Sequence, residues 1–431
     1  MEQRDSSGGR ERLVLLLLAA VQFTSIVDFM IVMPLGPQLM RTLEVSPRQF
    51  GWVVSSYTLA AGVAGLVAST VLDRFGRKTS FLTLYAGFLM GTMFCGLAPD
   101  YLTLLAARFV TGAFGGILGG QALTIVADIF PEERRGRATG VLMSAFALAS
   151  VLGVPAGTFL GTNWGWHVPF LVLVALGAPL LLVAVLIMPP LSDHVGKSSS
   201  GPLIRLVETL REPNNRRAFA LIITLMFGAF SVIPYISVFY VANVGVTENQ
   251  LTIVFTVAGI CTLVGSPLIG RLADRHGKLV IYRIVAPISA VAMITLTNLP
   301  RAGVVIASLA SAGLMVSNAG RMVAAMAMVS GSVGPRRRGG FMSVNSALQH
   351  VATGAGAVVG GLIIRERDDG TLANFGVVGL IGVVTTLASL WLAGRLRMTS
   401  PSQPMTPEMG LAAAADADAN ASGPLSSLET T

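Results

Sequence analysis

The stretch Gly270-Arg271-Leu272-Ala273-Asp274-Arg275-His276-Gly277-Lys278 has an echo 201 residues earlier, in Asp73-Arg74-Phe75-Gly76-Arg77-Lys78. Under that shift Asp73, Arg74 and Gly76 fall on Asp274, Arg275 and Gly277. Arg77 falls on Lys278, and Val45 and Gln49 fall on Val246 and Gln250, without a gap. A shift of 203 carries the next stretch, placing Arg134, Arg135, Gly136, Gly153 and Gly157 on Arg337, Arg338, Gly339, Gly356 and Gly360. Self-similarity at this distance marks a duplicated structural unit.

Each copy of the charged segment lies between long apolar runs. Working outward, runs of about 20 apolar residues, each long enough to cross a hydrocarbon core of about 30 Å, recur along the chain. The expected spans are 13–36, 50–71, 79–98, 101–125, 138–161, 166–188, 218–242, 250–271, 279–298, 302–328, 340–363 and 373–396. Hydrophobic residues make up 53% of the chain and charged residues 12%, which excludes an ordinary soluble domain. The fold class is therefore an all-α membrane protein of twelve transmembrane helices in two pseudo-symmetric six-helix bundles. Six spans per unit leave both units in the same orientation, related by an axis along the membrane normal.

The expected organisation is a cytoplasmic head (1–12), an N-terminal bundle (13–188), a cytoplasmic linker (189–217), a C-terminal bundle (218–396) and a disordered cytoplasmic tail (397–431). In the linker, Leu203, Ile204, Leu206, Val207 and Leu210 fit a short amphipathic helix at the interface. The first apolar run is too long for a removable signal peptide, which keeps the amino terminus inside. The cytoplasmic segments, span ends included, then carry 23 Lys and Arg residues against 5 on the other side. This is the bias of an inner-membrane protein with both termini cytoplasmic. It also accounts for the net charge of +8, which would otherwise raise the question of nucleic acid.

The loop pattern Gly270 to Lys278 resembles the signature between helices 2 and 3 of the major facilitator superfamily. In the first copy Ser69 stands at the usual opening glycine. Arg108 and Gly112 in helix 4, Pro131 to Arg137, and the stretch Asp28 to Pro37 make the chain similar to the twelve-helix drug and sugar efflux branch, whose members are proton antiporters. The resemblance covers 13–396 and implies alternating access. It also implies that the loop residues Asp73, Arg74, Gly76, Arg77, Gly270, Asp274, Arg275 and Gly277 gate, with Asp128 at the end of helix 4 as relay. A glycine is expected where this loop turns sharply. Asp73 can pair with Arg77 or accept from a facing helix amino terminus; the alternative is a solvated loop that only sets orientation.

Among the charges that fall inside spans, Asp28 is the most informative, and Arg108 is its candidate partner. An ionised carboxylate there costs at least ~2.5 kcal/mol and is usually kept for function. Asp28 lies about 16 residues into helix 1, roughly 24 Å from the inner face, and Arg108 about seven residues into helix 4, roughly 10 Å below the outer one. The two share nearly one depth, and in the family both helices line the cavity. A pair, direct or through water, is expected. It reads either as a proton-coupling site tuned by Arg108 or as a structural pair that fixes packing.

Gln121, Asn345, Gln349 and His350 are candidate substrate-cavity residues. His350 titrates near neutral pH when exposed, yet a lone histidine in a span commonly just bridges helices. Apolar cavity candidates are Phe29, Met33, Phe227 and Phe230. Arg321, near the inner end of helix 10, is expected to snorkel. Gly153, Pro155 and Gly157 in helix 5 stand where family antiporters carry a Gly-Pro pair, although four-residue glycine spacing alone explains close packing.

Other chemistries find little purchase. Gly196-Lys197-Ser198 mimics the end of a phosphate loop, but Leu191 stands at its first glycine and no strand precedes it. His167, His194, His276 and His350 are scattered, and Cys95 and Cys261 lie one per half, so no metal centre, cofactor or disulfide framework is expected. The sequence reads as a secondary transporter rather than an enzyme, with a small-molecule substrate, protons as coupling ion, the lipid bilayer as surroundings, and no nucleic acid. A monomer suffices, because one chain holds both halves of a cavity. Efflux of a drug-like compound or sugar leads; proton-coupled uptake is the alternative, and a channel or receptor the alternative of another class.

Overall fold

The computed structural model describes residues 2–71, 75–189, 211–334 and 338–398, without the side chains of 2–8 and 69–71. Among the described residues twelve helices are long and apolar enough to cross a membrane. They are α1 (Gly9–Ile31), α2 (Pro47–Ala68), α3 (Arg77–Gly96), α4 (Tyr101–Ile129), α5 (Glu132–Trp164) and α6 (Val168–Ile187), then α7 (Pro213–Val244), α8 (Glu248–His276), α9 (Lys278–Thr297), α10 (Gly303–Gly331), α11 (Arg338–Ile363) and α12 (Phe375–Arg395). This is the all-α, twelve-helix architecture expected from hydropathy.

Several helices outrun their apolar stretches. Backbone hydrogen bonding does not stop where hydrophobicity does, so charged ends such as Glu132 to Arg137 continue the helix beyond the apolar core. Likewise α7 begins at Pro213, inside the segment read as linker, because proline is pre-organised for the first helical turn. The amphipathic segment 203–210, the pair Asp73 and Arg74, and the tail from 399 lie outside the described residues.

The duplication is visible in local chemistry. Ser46 and Gln49 open α2, with the Ser46 amide donating to Gln49 Oε1 at 2.9 Å; Thr247 and Gln250 open α8 with the same bond at 3.0 Å. Both are capping-box pairs at the helix N-termini, 201 residues apart. The signature loops diverge more. Gly277 takes φ +96°, a conformation that favours glycine, whereas Gly76 has φ −60° and ψ 141°. The expected sharp glycine turn therefore holds for the second copy and not for the first, where any residue could adopt the backbone.

The halves meet along α2 against α11 and α5 against α8. Call the end carrying Lys78, Arg134 and Arg395 the basic end. At the opposite end the halves are tied together: Arg41 forms a bidentate ion pair with Glu248, and Ser237 Oγ donates to the Met33 carbonyl. Phe50 and Tyr235 pack edge to face at 5.9 Å. Gly62 of α2 lies against Ala347, His350 and Val351 of α11. One turn further towards the basic end the contact stops: a Cβ on Gly65 would meet nothing within 4 Å, and Ser343 and Ser346 are exposed. The halves therefore close at the Arg41 end and part towards the basic end.

A two-stranded antiparallel ribbon, β1 (Arg365–Glu366) with β2 (Leu372–Ala373), occupies the α11–α12 loop. It turns on Gly370, at φ +76°, with Asp369 Oδ1 accepting from the Thr371 amide at 2.9 Å.

Candidate functional site

Asp28 sits one turn before the end of α1, fully buried, and Arg108 of α4 is buried opposite it. Arg108 Nη1 donates to Asp28 Oδ2 at 2.7 Å and to the Asp28 backbone carbonyl at 3.3 Å. Thr92 of α3 donates its hydroxyl to Asp28 Oδ1 at 3.1 Å. The guanidinium lies 4.6 Å from the ring centroid of Tyr57 on α2, a cation–π contact. Four helices thus converge on one ion pair. Arg108 Nε and Nη2 find no protein acceptor among the described residues.

Close backbone approach makes this convergence possible. A methyl group at Gly112, one turn from Arg108 on α4, would overlap the Tyr57 backbone of α2. On the other side of α1, Gly153, Gly157 and Gly161 of α5 receive the side chains of Val27, Ile31 and Leu35 in turn, a ridge set into a glycine groove. The helix-5 glycines flank Asp28 by packing rather than by reaching the pair. Pro155 lacks the amide that would bond the preceding turn, and the chain forms a π-turn over Ala149–Gly153 just before it. There α5 meets α8, with Gly259 against the Ser150 backbone.

Above the pair the halves touch through aromatic rings. Phe29 lies 5.3 Å from Tyr57 in its own half and 6.0 Å from Phe230 of α7. Gln121 is buried with Nε2 unpartnered, and Asn345 is buried with Oδ1 unpartnered. Gln349 Nε2 points at the Met326 sulphur at 3.5 Å, and His350 faces Gly62 across the interface. No hydrogen bond joins Gln121 on α4 to the α11 set, which occupies the other half. Hollows of about 340 and 260 Å³ lie elsewhere, beside Phe94 and Val110 and beside Asn243 and Arg367.

Among the signature-loop residues, Arg77 Nε reaches Asp128 Oδ2 at 3.3 Å, joining the start of α3 to the end of α4. Asp274 and Arg275 make no ion pair among the described residues. A Cβ at Gly270 would make only ordinary contact with Val323, at 3.6 Å.

Arg321 requires a correction. It does not snorkel: it is 1% exposed inside the C-terminal bundle, donating to Thr386 of α12 and to Asn318 Oδ1 at 2.9 Å, with no carboxylate partner among the described residues. Its helix runs on to Gly331, which places it about 10 residues, roughly 15 Å, from that end. The apolar run made the helix look shorter than it is. Sequence reasoning also missed Thr92 and Tyr57, since a threonine or tyrosine in a span is common and only three-dimensional proximity singles these out. The Arg41 and Glu248 pair was equally hidden, its members being more than 200 residues apart.

Comparison with known proteins supplies the family. The model of the Major Facilitator Superfamily matches residues 18–242 and again 218–416, one match per half. The chain is 26% identical over 396 residues to the Uncharacterized MFS-type transporter YceJ of Bacillus subtilis (strain 168), covering 90% of this chain and 98% of that one. It is 36% identical over 130 residues to Multidrug resistance protein 3 of the same strain, covering 30% of this chain and 25% of that protein. In three dimensions it resembles a bacterial homolog of the human lysosomal transporter Spinster. The TM-score is 0.71 at 17% identity, with 91% of this chain and 99% of that chain covered. With twelve apolar helices in two matched halves, the chain is a multi-pass membrane transporter that belongs to the Major Facilitator Superfamily.

Proposed function

We propose that this secondary transporter exports a small organic solute, drug-like or sugar-like, by alternating access in exchange for protons, with Asp28 as the proton carrier. The observation that supports this reading is the fully buried pair of Asp28 and Arg108, held by α1 to α4. Charges in a membrane interior are expensive, and such residues commonly mark ion pathways. While Asp28 is ionised the pair is neutral and binds α1 to α4. Protonation of Asp28 leaves Arg108 with net charge and weakens that link, so proton occupancy is coupled to helix packing. Arg108 is the partner that tunes the site.

Substrate enters between the halves, where Gln121, Asn345, Gln349 and His350 offer hydrogen bonds and Phe29 and Phe230 offer apolar surface. Opening at the far end requires the Arg41–Glu248 pair and the α2–α11 contact to separate, while Arg77 and Asp128 rearrange with the gating loop. The bias of 23 basic residues to 5 supports an inner-membrane setting with both termini cytoplasmic, so the structure's open end faces the cytoplasm. A monomer is sufficient for the cycle.

A pH-sensitive dye in respiring everted vesicles tests the exchange. Candidate compounds should release protons from vesicles carrying the wild type and not from those carrying Asp28→Asn. Proton-driven transport by Asp28→Asn would remove Asp28 as carrier. Release with no compound, together with substrate-driven proton entry in right-side-out vesicles, would replace export by uptake.

A further inference from the structure

The lipid-facing surface of α9 carries an arginine inside the span. Ile284 and Ile288 are 53% and 54% exposed on the outside of this helix, and Arg283 is exposed beside them. It lies five residues into the helix from Lys278, roughly 7.5 Å past its first residue. Arg283 Nη2 comes to 3.5 Å from where a Cβ on Gly394 of α12 would sit, so it rests on a backbone without side-chain cover. The next residue, Arg395, lies with its guanidinium 3.9 Å from the ring centroid of Trp391, itself 56% exposed. Neither Arg283 nor Arg395 has an acidic partner among the described residues. The carbonyl end of α12, which would repel an anion, is covered in part by Arg217 Nη1 donating to the Arg395 carbonyl at 3.4 Å.

We propose that Arg283 and Arg395 form a binding site for the phosphate of an anionic glycerophospholipid in the leaflet at the basic end, with the acyl chains lying along the exposed apolar faces of α9 and α12. Charge complementarity selects this occupant. Two guanidiniums without an acidic partner among the described residues, at headgroup depth and beside an exposed tryptophan, match a phosphodiester above hydrocarbon. Trp391 is placed as an interfacial anchor. A site of this kind lies on the outside of the C-terminal bundle and is independent of the central pathway.

The test is native mass spectrometry of the full chain released from nanodiscs containing phosphatidylglycerol and phosphatidylcholine in equal amounts. Wild type should retain phosphatidylglycerol preferentially. With about 1 kcal/mol per basic residue near the surface, R283Q/R395Q should weaken that preference roughly thirtyfold, while R283K/R395K keeps most of it. Should the glutamine variant fail to fold, a second measurement stands on folded protein alone. Brominated phosphatidylglycerol should quench the fluorescence that wild type has and Trp391→Phe lacks, and brominated phosphatidylcholine should quench it less. An unchanged preference in R283Q/R395Q, equal quenching by the two brominated lipids, or displacement of the lipid by inorganic phosphate alone would overturn the proposal, the last in favour of a soluble anion.

Discussion

Arg108 holds Asp28 twice through one nitrogen, since Nη1 donates both to the carboxylate at 2.7 Å and to the main-chain carbonyl at 3.3 Å. The second bond does not depend on charge, so α4 stays tethered to α1 when the carboxylate is neutralised. Removing one member of a buried pair costs about 3–5 kcal/mol because the other charge is left uncompensated. Arg108→Gln and Asp28→Asn should each lower thermal stability in detergent, and the double variant should lose less than the sum. Strictly additive losses in that cycle would show that the two groups are not coupled.

The tie at the Arg41 end leads to a different prediction. Arg41 and Glu248 are partly solvated, and such pairs contribute about 0–1 kcal/mol. Glu248→Gln should therefore shift the balance towards opening at that end by no more than about fivefold. A distance measurement between spin labels on the two halves would register the shift. The exchange Arg41→Glu with Glu248→Arg should restore the wild-type distribution.

Two glycines on α4 should respond in opposite ways. Gly112→Ala drives a methyl group into the Tyr57 backbone and should cost about 1–3 kcal/mol by overpacking, with weaker transport because Tyr57 also carries Arg108. Gly120→Ala meets nothing within 4 Å and should leave stability unchanged or slightly raised, since alanine favours helix. Thermal unfolding of the two variants checks this directly, and equal losses would contradict the packing described.

Asp100 caps α4 in an acid-sensitive manner. Its carboxylate accepts from the Thr103 amide at 2.8 Å and from the Thr103 hydroxyl, and these donors hold it below its ordinary value of 3.8. A depressed folded-state pKa means that the cap contributes fully at neutral pH and is lost as pH falls through the folded value. Carboxyl NMR should show Asp100 titrating below 3.8, and Asp100→Asn should keep the cap while removing its pH dependence. Titration at or above that value would mean that the capping bonds are not formed in solution.

By itself the sequence determined the number of helices, the duplication and the bias of charge. These follow from local quantities: a run of about 20 apolar residues has one way to satisfy its backbone in lipid, and a repeat keeps its offset whatever the packing. Depth along a helix was readable too, so Asp28 and Arg108 could be placed at one level from 1.5 Å per residue. Which way each side chain turned was not. Arg321 looked free to reach water until α12 supplied Thr386, and Gly76 looked like the twin of Gly277 until their φ angles parted. Thr92, Tyr57 and the Arg41–Glu248 tie depend on rotation and crossing of helices far apart in the chain. Tertiary packing alone decided those partners, because rotation about a helix axis is set by neighbouring side chains and backbones, such as Gly112 against Tyr57, and leaves no periodic trace in the sequence.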